Sequence, residues 1–368
     1  MTQTLDDAHL LAPLGSGCRL GSHRVLEPKG ALPQAAWRLD NTPRAYANEI
    51  LCEVETLNVD SASFKQISEL CDGEPQAVGA HILATVNERG KQHNPVTGSG
   101  GMFVGRVLQI GPALAARDDI LAGDRIASLV SLTLTPLQLD GVDSVDTATG
   151  QVRVRGKAIL FESGIYARLP DDLPTDVALA VLDVAGAPAQ VQRLARPGDT
   201  VCVIGACGKS GMLACAQARE RVGADGRVVG IVPHAATPSA ALLREQGFVD
   251  ELVEADARDA LAILAALPTA LPQLADLVVN CVNVSGTELS SILCCKDGGT
   301  VYFFSMATSF TAAALGAEGV GKDVTMMVGN GYAKGHAGIS LQTLRDHPAL
   351  KEYFVARYGV RPAQEPSR

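Results

Sequence analysis

The sequence predicts an α/β fold that combines a doubly wound parallel sheet with a second, mainly β domain. Three observations support this prediction. Apolar strand-like runs alternate with helical segments over residues 200–305, a glycine-rich turn joins the first run to its helix, and residues 49–132 lack this alternation. Alternating strands and helices indicate a parallel sheet, and near-continuous apolar strands indicate that helices cover both faces. With 368 residues, the chain is long enough for two domains.

The glycine-rich turn is the most informative motif in the chain. The apolar run Val201–Ile204 leads into glycines at positions 205, 208 and 211, and Met212–Val222 has the pattern of a helix. A strand, a glycine turn and a helix in this order are typical of sites that hold a dinucleotide pyrophosphate on helix N–H groups. The alternative is a glycine-rich turn that binds nothing. The cofactor-binding residues predicted in this turn are Gly205, Gly208, Lys209, Ser210 and Gly211.

The chain after this turn keeps the same alternation. Predicted strands cover Arg227–Val232, Val249–Val253, Leu277–Val282 and Thr300–Ser305. Predicted helices cover Ser239–Gln246, Asp256–Leu267 and Thr287–Cys295. Strands that alternate with helices of this length predict βαβ units and a doubly wound sheet. Ser305, at the end of the last of these strands, is included among the predicted cofactor-binding residues.

The end of the second strand bears on which nicotinamide cofactor is used. In such folds a preference for NAD usually shows as an Asp or Glu at this position, bonded to the ribose hydroxyls. Here the strand ends in Ile231-Val232-Pro233-His234, without an acid. We predict that His234 contacts the cofactor, and the residues leave a 2′-phosphate, and therefore NADP, open.

The N-terminal half has a different pattern. Strand-like runs such as Glu49–Leu57, Phe103–Ile110 and Arg125–Leu132 alternate with Gly and Pro turns, and helical patterns are confined to Ser63–Leu70 and Val78–Arg89. This pattern predicts a mainly β domain that forms a partly open barrel. We predict that this domain covers residues 1–170, that the nucleotide-binding domain covers residues 171–308, and that residues 309–368 return to the first domain.

Composition narrows the range of functions. The net charge of −9 at pH 7 argues against a nucleic-acid or membrane partner, and no segment is long and apolar enough to span a bilayer. Met1–Leu10 lacks the basic and apolar pattern of a signal peptide. Nine cysteines are scattered without a disulfide-like framework, which favours a reducing compartment. We therefore expect a cytoplasmic protein that acts on a small molecule.

Four segments of the chain resemble the medium-chain dehydrogenase/reductase superfamily. They are the strand end Leu57-Asn58, the turns Ala122–Arg125 and Pro197–Asp199, and the glycine turn at 205–211. The resemblance covers most of the chain. It implies a GroES-like, β-rich catalytic domain with an inserted Rossmann nucleotide-binding domain.

The residues at the zinc positions of this superfamily differ in this chain. Asn58 stands where the first ligand cysteine lies, and Thr97–Gly101 carries neither the histidine nor the glutamate of the second ligand motif. No cysteine occurs between Cys71 and Cys202, where the third ligand would lie. Because zinc in such a site needs thiolate and imidazole ligands, we expect no zinc or other metal.

Longer stretches resemble one family within that superfamily. The stretches Gly21–Gly30, Glu88–Met102, Phe303–Phe310 and Gly316–Asp323 are similar to L-erythro-3,5-diaminohexanoate dehydrogenases. The resemblance implies oxidation at C3 of this diamino acid in lysine fermentation, with formation of 5-amino-3-oxohexanoate and release of ammonium. It also implies NAD as the cofactor, with NADP as the alternative, and we expect a homodimer.

Four residues are candidates for the base that deprotonates the substrate amine. Asp60 stands two residues after Asn58, where zinc-dependent relatives keep a proton-relay hydroxyl, although a strand-end cap is an equal alternative. His23 and Glu27 lie in a turn, where each is a candidate base or pins the turn. Lys91 precedes a glycine-rich loop and is either a site residue or a solvated surface charge.

Two other functions share these features. A zinc-free quinone or enone reductase that uses NADPH would have the same fold. A non-catalytic, crystallin-like nucleotide-binding protein would also keep the glycine turn. The density of charged and polar residues over Ser22–Lys29 and Glu88–Asn94 favours an enzyme over the second of these.

Overall fold

The computed structural model describes residues 14–95, 98–329 and 331–359. The chain divides into two units, Met1–Asp172 and Leu173–Arg368. Each unit has its own sheet and its own hydrophobic core. Thr97, which belongs to the loop compared above with the zinc ligand motif, lies outside the described residues.

An antiparallel sheet forms the centre of the first unit. The strands are β1 (Val25–Glu27), β2 (Arg38–Leu39), β3 (Glu49–Asn58), β4 (Met102–Ile110), β5 (Arg125–Ser128), β6 (Leu137–Asp146), β7 (Gln151–Phe161) and β8 (Tyr166–Arg168). β1 pairs with β2, and the others follow the order β6-β7-β3-β4-β5-β8. Nearly all of β3 is buried, because it lies between β7 and β4.

Two amphipathic segments pack as helices against this sheet. They are α1 (Ser61–Leu70) and α2 (Pro75–Arg89). α2 ends at Gly90, which adopts a left-handed φ of 66° and whose N–H donates to the Val86 carbonyl. An added Cβ at Gly90 would lie 2.2 Å from the Leu39 carbonyl oxygen, so a glycine is required there. The core shared by helices and sheet includes Ile50, Leu57, Ile67, Ile82 and Phe103.

A buried ion pair joins the segment before β1 to the first residue of β3. Arg24 is fully buried, and its Nε and Nη2 donate to the two carboxylate oxygens of Glu49 at 2.8 and 2.7 Å. Its other guanidinium hydrogens go to backbone carbonyls of the loop after β2. Burial raises the pKa of the Glu49 carboxyl, but hydrogen bonds from Arg24 and His23 outweigh it and lower that pKa below its ordinary value. The pair therefore fixes one end of the central strand.

A parallel sheet forms the centre of the second unit. The strands are β9 (Thr200–Ile204), β10 (Arg227–Val232), β11 (Glu251–Glu254), β12 (Ala275–Asn280), β13 (Cys295–Phe303) and β14 (Thr325–Val328). Their order is β11-β10-β9-β12-β13-β14. Because all of them are parallel, their carboxyl ends lie along one edge of the sheet. The strand order reverses between β9 and β12, which is where ligands bind in open sheets of this kind.

Helices connect these strands and complete the second unit. They are α3 (Thr175–Leu182), α4 (Gly186–Leu194), α5 (Lys209–Val222), α6 (Pro238–Glu245), α7 (Ala260–Ala270), α8 (Glu288–Cys294), α9 (Phe310–Val320), α10 (His336–Asp346) and α11 (Pro348–Tyr358). α5 is buried over most of its length. The core includes Cys202, Ile204, Ile231, Val278 and Phe303.

The C-terminal segment differs from the prediction. Residues 309–368 were expected to return to the first domain, but α9 and β14 continue the alternation and β14 pairs with β13. α10 and α11 also belong to the second unit: Ser340 Oγ donates to the Ala185 carbonyl at 3.0 Å, and Thr343 Oγ1 donates to Gln217 Oε1 at 3.0 Å. The physical reason is that β14 is only four residues long and therefore leaves little periodicity in the sequence.

Each of the nine cysteines lies in the described part of the chain and is a free thiol. Within residues 14–95, 98–329 and 331–359, the structure contains no helix with the length and apolar character needed to cross a membrane.

The buried ion pair predicts a large loss of stability when Arg24 is replaced. Arg24→Met keeps much of the volume but leaves the Glu49 carboxylate buried without its partner. We expect the free energy of unfolding to fall by about 3–5 kcal/mol. Urea unfolding followed by the fluorescence of Trp37, the single tryptophan of the chain, measures this change in the first unit.

Arg155→Met is the matched control, because Arg155 pairs with Asp143 on the surface, where their side chains are 67% and 48% exposed. We expect this variant to lose less than about 1 kcal/mol. Since the folded-state pKa of Glu49 is lowered, its stabilisation is present above the unfolded-state pKa and is lost as pH falls through the folded-state pKa. Equal losses in the two variants would contradict the assigned role of the buried pair.

Candidate functional site

The glycine turn follows β9, next to the point where the strand order reverses. Gly205 has a left-handed φ of 82°, and its N–H donates to the Ile231 carbonyl at 2.8 Å, which fastens the turn to β10. An added Cβ at Gly211, in the first turn of α5, would lie 2.1 Å from the Gly205 carbonyl oxygen. Only a glycine at position 211 therefore allows α5 to approach the end of β9 this closely.

The start of α5 offers backbone N–H groups to an anion. Gly208 is the N-cap residue and is exposed. Within the described residues, no side chain forms a capping hydrogen bond at this end of the helix. An added Cβ at Gly208 would meet the Gly205 oxygen at 3.5 Å, which is an ordinary contact. The first N–H groups of a helix lack intrahelical partners and form the positive end of its dipole. The turn therefore has the geometry that holds a pyrophosphate.

The side-chain amine of Lys209 is paired with a carboxylate of the same unit. Its Nζ donates to Asp183 Oδ2 at 2.9 Å and lies 5.9 Å from the centre of the Tyr358 ring. Burial lowers the pKa of the Lys209 amine, but the carboxylate of Asp183 outweighs burial, and the net pKa is raised. The predicted cofactor contact of Lys209 therefore rests on its backbone N–H. Ser210 follows and is buried, with its hydroxyl bonded to the Cys281 thiol.

The other predicted cofactor-binding residues lie along the same edge of the sheet. His234 follows β10 and is exposed. Ser305 follows β13, and its Oγ accepts the Ala307 N–H at 3.1 Å. Beyond His234, Thr237 caps α6 by accepting the Ala240 N–H at 3.2 Å. The structure therefore brings the predicted residues of the second unit to one edge, as a parallel sheet requires.

Asp60 lies at the carboxyl end of β3 and caps α1. Its Oδ1 accepts the Ser63 N–H at 3.0 Å, which is the capping role considered for it in the sequence. Its Oδ2 is buried and has no hydrogen-bond partner among the described residues. An unpaired buried carboxylate oxygen is costly unless another group bonds to it. Asp60 therefore combines a structural role at one oxygen with an unsatisfied acceptor at the other.

His23 is bonded through both of its ring nitrogens. Nδ1 accepts the Cys18 N–H at 2.9 Å, so the neutral ring carries its hydrogen on Nε2, which donates to Glu49 Oε1 at 2.8 Å. This arrangement agrees with the turn-pinning alternative. Glu27 lies nearby in β1, where it is exposed and its carbonyl accepts the Trp37 N–H at 2.7 Å.

His23 and Asp60 are at opposite ends of the same strand. His23 bonds to Glu49, the first residue of β3, whereas Asp60 lies two residues beyond Asn58, the last. A strand rises about 3.3 Å per residue, which separates the two positions by roughly 30 Å. The structure therefore does not bring these candidate bases together, and they cannot act on the same substrate atom.

Lys91 is buried, so the surface-charge alternative for it is wrong. It is fully shielded from solvent, and its Nζ donates to the Pro33 carbonyl at 2.8 Å. Burial, together with the neighbouring charge of Arg89, lowers the pKa of its amine to about 8. His93 follows two residues later, and its Nδ1 is bonded to the Thr133 hydroxyl. Burial and then the charges of Lys91 and Arg89 lower the pKa of His93 to about 4, so its ring is neutral at pH 7.

A cleft of about 220 Å³ opens in the first unit between α1, α2 and the segment after α2. Its polar lining residues are Gln66, His81, Thr85, Glu88, Arg89, His93 and Asn94. The cleft lining thus includes both a carboxylate and a guanidinium. The guanidinium of Arg89 stacks on the Trp37 ring with its carbon 3.6 Å from the ring centre, which holds it in place.

At the positions compared with zinc ligands, two segments of backbone pack closely against each other. Asn58 is buried at the end of β3, and an added Cβ at Gly101 would lie 2.1 Å from the Asn58 carbonyl oxygen. The two segments are therefore packed backbone against backbone. In the part of the chain that the structure describes, no group of three His, Cys, Asp or Glu side chains is arranged to hold a metal ion.

Comparison with known proteins identifies the family. A model of the N-terminal domain of L-erythro-3,5-diaminohexanoate dehydrogenase matches residues 23–170. Over 343 residues, the chain is 53% identical to the L-erythro-3,5-diaminohexanoate dehydrogenase of Acetoanaerobium sticklandii and 50% identical to that of Fusobacterium nucleatum subsp. nucleatum. Each alignment covers 93% of this chain and 99% of the relative. The chain belongs to the L-erythro-3,5-diaminohexanoate dehydrogenase family. The resemblance predicted from the sequence is confirmed, and so is the prediction that the chain is an oxidoreductase.

Solved structures confirm the fold of this L-erythro-3,5-diaminohexanoate dehydrogenase family member. The quinone oxidoreductase of Coxiella burnetii is similar with a TM-score of 0.51 and 16% identity, over 89% of this chain and 93% of that chain. The CurK enoyl reductase is similar with a TM-score of 0.50 and 16% identity, over 84% and 78%. The predicted combination of a Rossmann-type parallel sheet with a β-rich domain is therefore confirmed.

Several polar residues of this L-erythro-3,5-diaminohexanoate dehydrogenase relative were missed in the sequence. Asn280 ends β12 beside the glycine turn, and its side chain bonds to Thr287, Ser291 and the Val282 N–H. Asp183, the partner of Lys209, lies 26 positions away. For Asn280 the available signal was its place directly after an apolar strand. For Asp183 no local signal exists, since the pairing arises only from packing.

The close approach of α5 to β9 predicts different outcomes at two glycines of the turn. Gly211→Ala places a Cβ 2.1 Å from the Gly205 oxygen, so the helix must shift, and we expect a loss of about 3 kcal/mol in stability. Gly208→Ala meets the same oxygen at 3.5 Å, and we expect a change within about 1 kcal/mol. Thermal unfolding of both variants measures the difference. Equal stability of the two would contradict the packing described here.

Proposed function

We propose that this chain catalyses the oxidative deamination of L-erythro-3,5-diaminohexanoate to 5-amino-3-oxohexanoate and ammonium, with a nicotinamide dinucleotide as oxidant. The observation that carries this proposal is the identity of 53% and 50% to the two named dehydrogenases over nearly their whole length. Identity of this extent, unlike a glycine pattern alone, includes residues of both units.

The second unit supports the cofactor assignment. Gly205, Gly208 and Gly211 give the turn the shape that lets backbone approach a pyrophosphate, and the uncapped first turn of α5 supplies its N–H donors. A nicotinamide dinucleotide, when bound, would accept the hydrogen of C3 together with two electrons, that is, a hydride. We assign NAD to this role, with NADP as the alternative.

Proton transfer is the part of the reaction that the first unit must supply. At neutral pH the C3 amine is protonated and cannot give up hydride from the adjacent carbon, so a base must first remove a proton. The Oδ2 atom of Asp60 is the candidate, because it is an acceptor without a partner among the described residues. After oxidation, water adds to the iminium carbon and the amine nitrogen leaves as ammonium.

The charges of the substrate match the cleft beside α2. The substrate carries a carboxylate and a second ammonium at C5, which need a cationic and an anionic partner. Glu88 and Arg89, which both line the cleft, offer the two charges. The stacking of Arg89 on Trp37 leaves its planar group oriented for a carboxylate.

We also propose that the reaction uses no zinc. Asn58 and the glycines at 98, 100 and 101 stand where the superfamily places ligands, and neither an amide nor a glycine is a usual zinc ligand. Nitrogen stabilises the cation that develops at C3 through its lone pair, so the chemistry does not require a Lewis acid.

The remaining expectations concern the state of the protein in the cell. We propose a cytoplasmic enzyme, which agrees with nine free thiols. We propose a homodimer, because β14 is an edge strand within the described residues and exposed apolar side chains lie on it and on α9. These side chains include Val328 (60% exposed), Phe310 (76%) and Leu315 (61%).

A turnover assay of the purified protein tests the proposed function. We expect formation of reduced dinucleotide and ammonium in equal amounts from L-erythro-3,5-diaminohexanoate, and no loss of rate after treatment with a chelator. Quinone and enone substrates with NADPH are the comparison. Faster turnover of these substrates, or no turnover of the diamino acid, would overturn the proposal.

Asp60→Asn tests the base. Asparagine is as good an N-cap as aspartate, so α1 keeps its start, but the basic oxygen is removed. We expect kcat/KM to fall by about 10²–10⁴-fold. Asp259→Asn makes the same change at the N-cap of α7 and should leave the rate unchanged. A rate for Asp60→Asn within about tenfold of the parent would show that Asp60 is structural.

A further inference from the structure

β10 ends without an acid, whereas the neighbouring strand, β11, ends in one, Glu254. In the parallel pairing of β10 with β11, the last residue of β10, Val232, lies directly beside Glu254, the last residue of β11. The chain after Glu254 stays close, since the Ala255 N–H donates to the Val232 carbonyl at 2.9 Å. Glu254 is therefore at the same level of the sheet edge as the expected acid, one strand further out.

The carboxylate of Glu254 turns back towards the loop that follows β10. Its Oε2 accepts the Ala235 N–H at 2.8 Å, one residue after His234. No partner for Oε1 is seen in the described residues, and the side chain is exposed at the edge where the predicted cofactor-binding residues lie. A negative charge thus lies beside the loop after β10, the strand whose end normally carries the acid that contacts the adenosine ribose.

We propose that Glu254 determines the choice between the two nicotinamide dinucleotides and favours NAD. This inference rests on the proposed function, because it assumes that the glycine turn holds a dinucleotide. A carboxylate accepts hydrogen bonds from ribose hydroxyls, which stabilises NAD. The 2′-phosphate of NADP has no hydroxyl to donate and carries negative charge, so the same carboxylate repels it.

One cation and one neutralised ion pair lie close to Glu254. Arg244 on α6 contacts this loop, since its Nη1 donates to the Ala235 carbonyl at 3.0 Å. Asp256 and Arg258 follow Glu254 and neutralise each other as a bonded pair. The loop is thus held between one carboxylate and one guanidinium. Removing the carboxylate leaves Arg244 as the dominant charge, and a guanidinium is a good partner for phosphate.

Direct titration with the reduced dinucleotides tests the inference without any substrate. We expect the parent protein to bind NADH at least about tenfold more tightly than NADPH, measured by nucleotide fluorescence; tenfold corresponds to about 1.4 kcal/mol. In Glu254→Gln the amide oxygen still accepts the Ala235 N–H, so the loop is kept while the charge is lost. We expect the ratio of the two Kd values to fall about tenfold, and Glu254→Lys to reverse the preference.

Glu245→Gln is the matched control. It makes the same change of charge at the exposed C-terminal end of α6, about 10 Å along the helix from the loop, and should leave the ratio unchanged. A purely structural role of Glu254 would weaken both nucleotides equally and overturn the inference, as would a parent protein that binds NADPH as tightly as NADH. Failure of both dinucleotides to bind would overturn the proposed function and this inference together.

Discussion

The contact between the first turn of α5 and the end of β9 is the constraint on which the second unit depends. The helix is buried along most of its length, and its start lies so close to the strand that position 211 has no room for a side chain. This contact sets the direction of the helix axis and therefore the direction of its unpaired N–H groups. The strand order, the left-handed Gly205 and the exposed Gly208 then place those groups at the edge where the sheet reverses.

The first unit depends in a similar way on its central strand. Arg24 and Glu49 anchor one end of β3 in the core, and Asp60 begins the next helix at the other end. The two ends differ in character. At the first end each side-chain nitrogen of His23 and each carboxylate oxygen of Glu49 has a partner, whereas at the second end Asp60 keeps a buried oxygen without a partner in the described chain. Chemistry with a ligand is therefore expected at the Asp60 end.

Features that depend on residue identity and local order could be predicted from the sequence. The glycine turn is of this kind, because left-handed backbone and close approach require glycine itself. The apolar runs that form β9, β10 and β12 could also be predicted, because the order of apolar residues within a strand is a local feature of the sequence. β14 could not be predicted, since a strand of four residues carries little periodicity. The roles of Glu49, Asp183 and Glu254 could not be predicted either. They arise from packing and strand register between distant segments, which no local pattern encodes.

The bond between Lys209 and Asp183 has a consequence for how the turn attracts an anion. Since the lysine charge is already balanced by a carboxylate in the same unit, the attraction comes from peptide dipoles alone. Peptide dipoles neither gain nor lose protons, and their direction is set by the backbone. We therefore expect the affinity of the turn for a phosphate to depend on backbone shape and to stay constant over the range of pH in which the fold is stable. The pH dependence of the enzyme is then expected to originate from other groups.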